Sequence, residues 1–578
     1  MHFDLIIEQP LVYDGSGTKP VTLDVGVKEG KIQALDNLSE AGADTRIHAH
    51  GMGLCPGFID VHTHADMALH RPEQVRVLEP LVRQGITTIV GGNCGVTMGP
   101  ISDRNPDFQY KFYEIFLGKD QQPYINWKGF GEMLESMEAG GLLLNTAMLA
   151  PHGILRMHAM GDSVEVAGNE DLSIMEKALR ECMEAGAMGM STGLQYFPGL
   201  CSDSRELLEL AKVVGEFDGV FTSHLRSYNS DGLQKAMDEI MDIGLEAQIS
   251  VQLSHLFWVP YLFEPVNTIM KAFIKAASRL YKIHPFPLPL GSSTKSHLAK
   301  VAHRVDQGQP IGVDAMPTSA GFTHLFAFFP PWSLEGGMHG VLKRIADPKE
   351  RLRIRKSIEN GKPVWPHRGP DSWSMNLFKV MGWDCASVMS VTTEKNQKYL
   401  GMNFGEIGKL QGKHPFDAAC DMALEENGRV LIFETPTYPG DPMVELSLQG
   451  TLVDPNVSIG TDLIPLGFGK PSHLTYDCFP KFLGQYARDW KLLALPEAIR
   501  KCTELPASQI KIPNRGNIAR GYWADMVLFD PETIGSNSTA QDPAHFPKGI
   551  QKVFINGRMV VDGENFMPDP MPGQMIRK

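Results

Sequence analysis

The sequence predicts an α/β protein: a (β/α)8, TIM-like barrel with a small composite β-domain from both termini and a large insertion between strands seven and eight. Three observations predict it. Strand-like runs alternate with helix-patterned runs through the middle of the chain. Both ends are rich in short strands and tight turns. Histidines, a cysteine and an aspartate recur at the ends of the strand-like runs. A doubly wound sheet is the alternative for the alternating segment. The 578 residues exceed one average domain but suit a large barrel with an appended domain.

The elements follow in chain order. Residues 1–54 give the first part of the β-domain. "FDLIIEQ", "DVGVKEGKIQAL" and "TRIHAHG" are β-rich or alternate with period two, and "KEGK" is a hairpin turn with Gly30 at positive φ. Residues 55–500 form the barrel. Its strands are predicted at "FIDVH" (58–62), "ITTIVG" (86–91), "LLLNTAML" (142–149), "AMGMS" (187–191), "VFTSH" (220–224), "ISVQLSH" (249–255), "PIGVDAM" (310–316) and "VSIGTD" (457–462). Helix-patterned runs separate many of them: "PEQVRVLEPLVRQG", "EDLSIMEKALRECMEAG", "SRELLELAKVVGEFDG" and "SDGLQKAMDEIMDIG". The last three each stop at a glycine, Gly186, Gly219 and Gly244. The gap of about 140 residues before the eighth strand exceeds an ordinary connection. Residues from about 315 to 455, with "FFPPW" and "PVWPHRGPDSW", are therefore predicted as an insertion that lids or walls a pocket. A second irregular stretch, "YKIHPFPLPLGSSTKS", follows the sixth strand. Residues 501–578 return to the β-domain and a tail. "GNIARGYWADMVLFD" and "IQKVFINGRMVVDG" turn at Arg520–Gly521 and Asn556–Gly557.

A net charge of -13 disfavours a nucleic-acid or anionic-membrane surface. No apolar run reaches the roughly 20 residues of a membrane helix, and "MHFDLIIEQP" does not read as a signal peptide. Eight scattered cysteines without a CxxC (Cys55, Cys94, Cys182, Cys201, Cys385, Cys420, Cys478, Cys502) suggest reduced thiols in a cytoplasmic setting. The expected partner is a small-molecule substrate, with neither nucleic acid nor membrane; a homo-oligomer is left open.

The strand ends carry the chemistry. "FIDVH" ends in His62, with His64 two residues on; on a strand, positions i and i+2 share a face. "GGNCG" after the second strand brings Cys94. The fifth strand ends in His224, the sixth in His255 and the eighth in Asp462. In a barrel these ends form one mouth, where active sites sit. Imidazole and thiolate suit zinc, a metal-bound water has its pKa drawn towards ~7, and Asp462 is placed to move the proton as general acid/base. That chemistry is hydrolysis of an amide-like bond. His152, just after the third strand, is a candidate to face the site. His70, His158, His284, His303, His324, His367 and His414 fit no strand end.

Together "PGFIDVHTHAD", "GITTIVGGNCGV", "GAMGMSTGLQYFPG", "FTSHLR", "LSHL", "IGTD" and "RGNIARGYWADMVLFDP" resemble the N-acyl-D-amino-acid deacylase (D-aminoacylase) branch of the amidohydrolase superfamily. "GNCG" is the specific feature, because that branch bridges metals with a cysteine where relatives use a carboxylated lysine. The resemblance implies a tight zinc on Cys94, His224 and His255. It implies a second, weaker metal position framed by His62, His64, Cys94 and Asp462. It puts Ser191 and Tyr196 near the pocket floor and gives Arg226 either a substrate group or a structural salt bridge. The default substrate is an N-acyl-D-amino acid. Two departures touch that default. The seventh strand ends "DAMPTSAG" instead of a tyrosine-bearing run, and no arginine lies between Asp462 and Pro480 to pair with a substrate carboxylate. Lys470 or His473 are the substitutes at hand. The alternative is the same metal site acting on a carboxylate-free cyclic amide, lactone or ketone, by ring opening or carbon–carbon cleavage. A non-catalytic scaffold is the minor alternative.

Overall fold

A computed structural model describes the chain except for Met1, Gln121, Asp231 and residues 260–265, 284–293, 362–364, 366–375, 436–440 and 442–444. Eight strands follow in chain order: Phe58–Asp60, Ile86–Gly91, Asn145–Met148, Gly189–Gly193, Val220–His224, Ser250–Leu253, Ile311–Ala315 and Val457–Ile459. All their residues but Ser250 are buried. Burial on both faces is why parallel strands read as near-continuous apolar runs.

The eight pair in two parallel sheets. One joins the first three strands; the other joins the fourth to the eighth and reaches back to Ala150–Pro151, a continuation of the third. The predicted barrel order is present, but not as one unbroken hydrogen-bonded ring. At the third strand the C-terminal end intervenes: Met575–Ile576 pairs in parallel with Thr146 and Ala147. The eighth strand meets the first through single bonds, Asp462 N to His62 O at 2.7 Å and Thr461 N to Asp60 Oδ1 at 2.9 Å.

Helices lie between the strands, among them Gln74–Arg83, Asn169–Glu184, Ser204–Glu216 and Leu233–Ala247. The expected stop at Gly244 is not a stop. The helix runs on to Ala247 and ends at Gln248, whose φ is 57°. Gly244 is there for packing, since a Cβ on it would stand 2.3 Å from Val251 Cγ1.

Both termini build β-structure. His2–Glu8 pairs with Asp24–Lys28 and Gly42–His48. Glu29 and Gly30 both take positive φ in the turn to Lys31–Asp36, the type I′ geometry that the right-handed strand twist favours. Asn556 and Gly557 repeat it between Ile550–Ile555 and Arg558–Asp562. A seven-stranded sheet mixes the two ends, Gly53–Pro56 pairing antiparallel with Met526–Phe529. Leu5, Val27, Leu54, Met526 and Phe554 share one core beneath.

The insertion has its own centre. Gly321–His324, Ala386–Ser390 and Leu431–Glu434 form an antiparallel sheet with the last strand in the middle. Phe326, Phe328, Phe329, Trp332, Phe404 and Phe416 lie in a hydrophobic core separate from that of the strands. The irregular stretch near residue 290 and most of "PVWPHRGPDSW" lie outside the described residues. No described helix is long and apolar enough to cross a membrane. All eight cysteines are free and buried.

Candidate metal centre

His62, His64, Cys94, His224, His255 and Asp462 come together. They form two overlapping groups: His62, His64, Cys94 and Asp462, and Cys94, His224 and His255. Within each group the ligand atoms lie within 4.8 Å of one another. All are buried except Asp462, which is partly so. Cys94 belongs to both. Its Sγ stands 3.8 Å from His224 Nδ1, 3.7 Å from His255 Nε2 and 3.3 Å from His62 Nε2. Asp462 Oδ1 stands 3.4 Å from Nε2 of both His62 and His64. Ordinary Zn–N and Zn–S lengths put tetrahedral edges at roughly 3.3 Å for N–N and 3.6 Å for S–N. His224 Nδ1 and His255 Nε2 stand closer than that edge, at 2.9 Å; the donor set and the other spacings fit zinc in both groups.

The local structure explains the placement, with one correction. His62 and His64 do not sit on a strand: the first strand ends at Asp60. They lie in the turn beyond it, where His64 N bonds Leu463 O at 2.9 Å. Cys94, His255 and Asp462 all take positive φ, at 51°, 36° and 49°. Non-glycine residues held there are costly and cluster at functional sites. Gly193 makes room for the Cys94 turn, since a Cβ on it would meet Cys94 O at 2.2 Å.

Three of the four imidazoles have a polar group behind them; among the described residues His64 Nδ1 has none. His224 Nε2 is 2.9 Å from Gln195 Oε1. His255 Nδ1 is 3.0 Å from the Tyr228 hydroxyl, which in turn donates to Ser254 O. His62 Nδ1 faces Asp314 Oδ1 at 3.4 Å. Such partners fix the tautomer and ring direction of metal-binding histidines. Asp314 also accepts from His255 N at 2.7 Å and Gln252 Nε2 at 2.9 Å. Sequence reading passed over Asp314 as an acidic group of the site, though it closes the seventh strand and the strand-end pattern applies to it.

The electrostatics follow from crowding. Burial alone would raise the Cys94 thiol, but the charge of His62 and the hydrogen bonds of His224 and His255 outweigh it and hold the thiol well below its ordinary value. Burial, with His255 adding to it, holds His224 down at about 4. Burial pushes Asp60 up to about 7 against its bonds to Thr461.

The remaining candidates lie around this cluster. Ser191 donates to Gly92 O and accepts from Gly95 N at 3.0 Å, so it clasps the turn that carries Cys94. The Tyr196 ring centroid is 4.5 Å from that of His224. His152 is buried, with Nε2 2.7 Å from Glu206 Oε1, in a network that includes Arg156. Arg226 is buried and bonds both Glu239 oxygens at 3.1 Å.

Two cavities open on the cluster. One of about 480 Å³ is lined by His64, Cys94, Tyr196, Asp462, Phe116 and His324. His324 is the residue sequence reading set aside. Among the described residues neither of its ring nitrogens has a hydrogen-bond partner, and burial holds it down at about 4, so it is neutral. It ends a strand of the insertion, which the barrel pattern does not reach. The larger cavity, about 840 Å³, runs from His255 past Phe257 and Trp258 to Glu434. Neither substitute for the missing arginine lines it. Lys470 lies against Gly401, and His473 is buried with Nε2 3.4 Å from Lys481 Nζ.

Known proteins resemble this chain in sequence and fold. An amidohydrolase-family model matches residues 448–561. The D-aminoacylase of Alcaligenes xylosoxydans xylosoxydans is 27% identical, covering 98% of this chain and 96% of its own. The N-acyl-D-glutamate deacylase of the same organism is also 27% identical, covering 100% and 96%. The crystal structure of N-acyl-D-glutamate deacylase from Bordetella bronchiseptica, complexed with zinc and a phosphonate mimic of the tetrahedral intermediate, superposes with a TM-score of 0.75. It is 25% identical and covers both chains fully. The likeness to D-aminoacylase and to the N-acyl-D-glutamate and N-acyl-D-aspartate deacylases spans the whole length of the chain, and the amidohydrolase-family match covers its C-terminal part.

Proposed function

We propose that this protein is a zinc-dependent amidohydrolase in which Asp462 is the general acid/base. The observation that carries the reading is the pair of ligand groups joined at Cys94. Cys94, His224 and His255 would hold the tight zinc; His62, His64, Cys94 and Asp462 would frame a weaker position. A bound zinc supplies Lewis acidity, polarising the acyl carbonyl and making water acidic enough to attack at neutral pH.

The chain's own residues do the rest. Asp462 takes the proton of the attacking water on its carboxylate and returns it to the leaving nitrogen, so amide plus water becomes carboxylic acid plus amine. Its positive φ and the bond from its N to His62 O aim it at the cluster. Tyr196 and His324 wall the space beside it, and Phe116 and Phe322 exclude water there. The family default, an N-acyl-D-amino acid, needs a cation for its carboxylate. Among the described residues neither cavity is lined by lysine or arginine. That favours the second reading, a carboxylate-free substrate on the same metal site.

The test is a panel of N-acyl-D-amino acids, N-acylated amines, cyclic amides, lactones and diketones given to the zinc-loaded protein. Hydrolysis of an amide in the panel, lost in D462N, is the expected result. No turnover of any amide overturns the amidohydrolase reading. Turnover confined to N-acyl-D-amino acids restores the family default.

A further inference from the structure

The metal-site side chains come from the strand ends and the turns just beyond them, but the larger cavity is walled largely by the insertion. On that wall Glu434 ends the strand Leu431–Glu434, opposite Gly321. Gly321 leaves it space, since a Cβ there would stand 2.7 Å from Glu434 Oε1. Among the described residues nothing donates a hydrogen bond to this carboxyl, and its Oε2 is sealed from solvent without a partner. Burial, with the Asp462 carboxylate adding to it, pushes the group up to about 8. An acid kept in such a place without a protein partner is costly to the fold. A ligand that supplies the partner accounts for its presence.

The surroundings say which ligand. Phe257, Trp258 and Phe328 line the same cavity, and aromatic faces attract cations. No lysine or arginine is among its described lining residues. Lys481, which donates to Pro317 O beside the cavity, is already paired with Glu445 at 3.1 Å. His255 stands in the same lining, so a molecule with its carbonyl at the metal cluster extends naturally into this space.

We propose that Glu434 is a specificity-determining residue that selects molecules carrying a cationic group: the acid releases its proton to solvent as the cation enters, and the carboxylate pairs with the charge while the aromatic side chains cover it. This deepens the amidohydrolase reading and rests on it for which bond is broken. The binding preference itself does not require turnover.

The test therefore has two arms on the zinc-loaded full chain. The first measures equilibrium binding of a phenylalkyl trimethylammonium ion and its tert-butyl carbon isostere, neither of which can ligate a metal. The cation is expected to bind about 10- to 100-fold more tightly. E434Q is expected to erase that preference while keeping its zinc and leaving the isostere unaffected. Equal binding of the two by the wild-type protein, or a preference that survives in E434Q, overturns the proposal. Should E434Q fail to fold, the wild-type comparison alone decides. The second arm compares hydrolysis of mono-N-acetyl-1,4-diaminobutane with that of N-acetylbutylamine. A cation preference in binding without hydrolysis of either leaves Glu434 standing and counts against the amidohydrolase reading. Hydrolysis without a binding preference does the reverse.

Discussion

Replacing Cys94 by alanine is the sharpest perturbation of the centre, because one sulfur serves both ligand groups. Four-ligand protein zinc sites bind with about 10–16 kcal/mol. Shared equally, each ligand accounts for about 2.5–4 kcal/mol, or about 10²- to 10³-fold in Kd. The structure puts Cys94 at ordinary S–N edges from His224 and His255 and close to His62, so its loss weakens both positions together. D462N is the matched control, since Asp462 belongs to only one group. The assay is zinc content after dialysis, followed by competition with a chromogenic chelator. C94A is expected to retain no tight zinc. D462N is expected to keep one tight zinc per chain and to lose turnover by about 10²- to 10⁴-fold. Zinc affinity in C94A within threefold of wild type refutes the shared-thiolate centre. Loss of the tight zinc in D462N refutes the division into two groups.

Two further predictions concern buried polar partners, one behind a metal ligand and one in the network of His152. Y228F removes the hydroxyl 3.0 Å from His255 Nδ1 and should weaken the tight zinc by about 10- to 100-fold; chelator competition at an unchanged far-UV spectrum checks it. Glu206 is buried between Arg156 and His152, and though burial opposes its charge, the Arg156 cation outweighs it and holds the carboxyl down at about 2. Its folded pKa is below its unfolded one, so its stabilisation is full above about 4.3 and fades as pH falls towards 2. E206Q should cost about 3–5 kcal/mol at pH 7 by stranding Arg156 and should flatten this part of the acid dependence, read by urea unfolding at pH 7 and pH 3.

What the sequence revealed and what it hid have physical causes. Parallel strands buried on both faces carry a strong local signal, and the residue that follows each strand is read directly from the chain. Four strand ends and the Cys94 turn are legible in that way. The split at the third strand was hidden because Met575 and Ile576 carry no local sign of pairing with residues more than 400 positions away. Gly244 misled because a glycine needed for close packing looks like a helix stop. His324 and Glu434 were missed for one reason: they end antiparallel strands of the insertion, where the barrel pattern assigns no meaning to a strand end. Asp314 carries no local sign of its role beside His62, because that partner lies about 250 positions away and only the fold sets the two 3.4 Å apart.

The structure thus divides its labour. The ends of the parallel strands and the turns beyond them supply the candidate metal ligands, and the insertion supplies most of the walls around them, so substitutions in the insertion should change binding without changing zinc. His324 gives the cleanest case. Its ring is buried beside Phe116 and Tyr196 in the cavity that contains Asp462. With both nitrogens unpaired and the ring neutral, it has one N–H to donate and one lone pair to accept. A bound substrate is the partner that satisfies them, a gain of about 0.5–1.5 kcal/mol for a neutral hydrogen bond. H324L keeps the apolar packing and removes both groups. It should raise KM by about 2- to 12-fold, leave zinc content at the wild-type value and change kcat little, because the lost bond holds the substrate in ground and transition states alike. A fall in kcat with KM unchanged places His324 on the reacting atoms, and loss of zinc places it behind a ligand; either result contradicts the division drawn here.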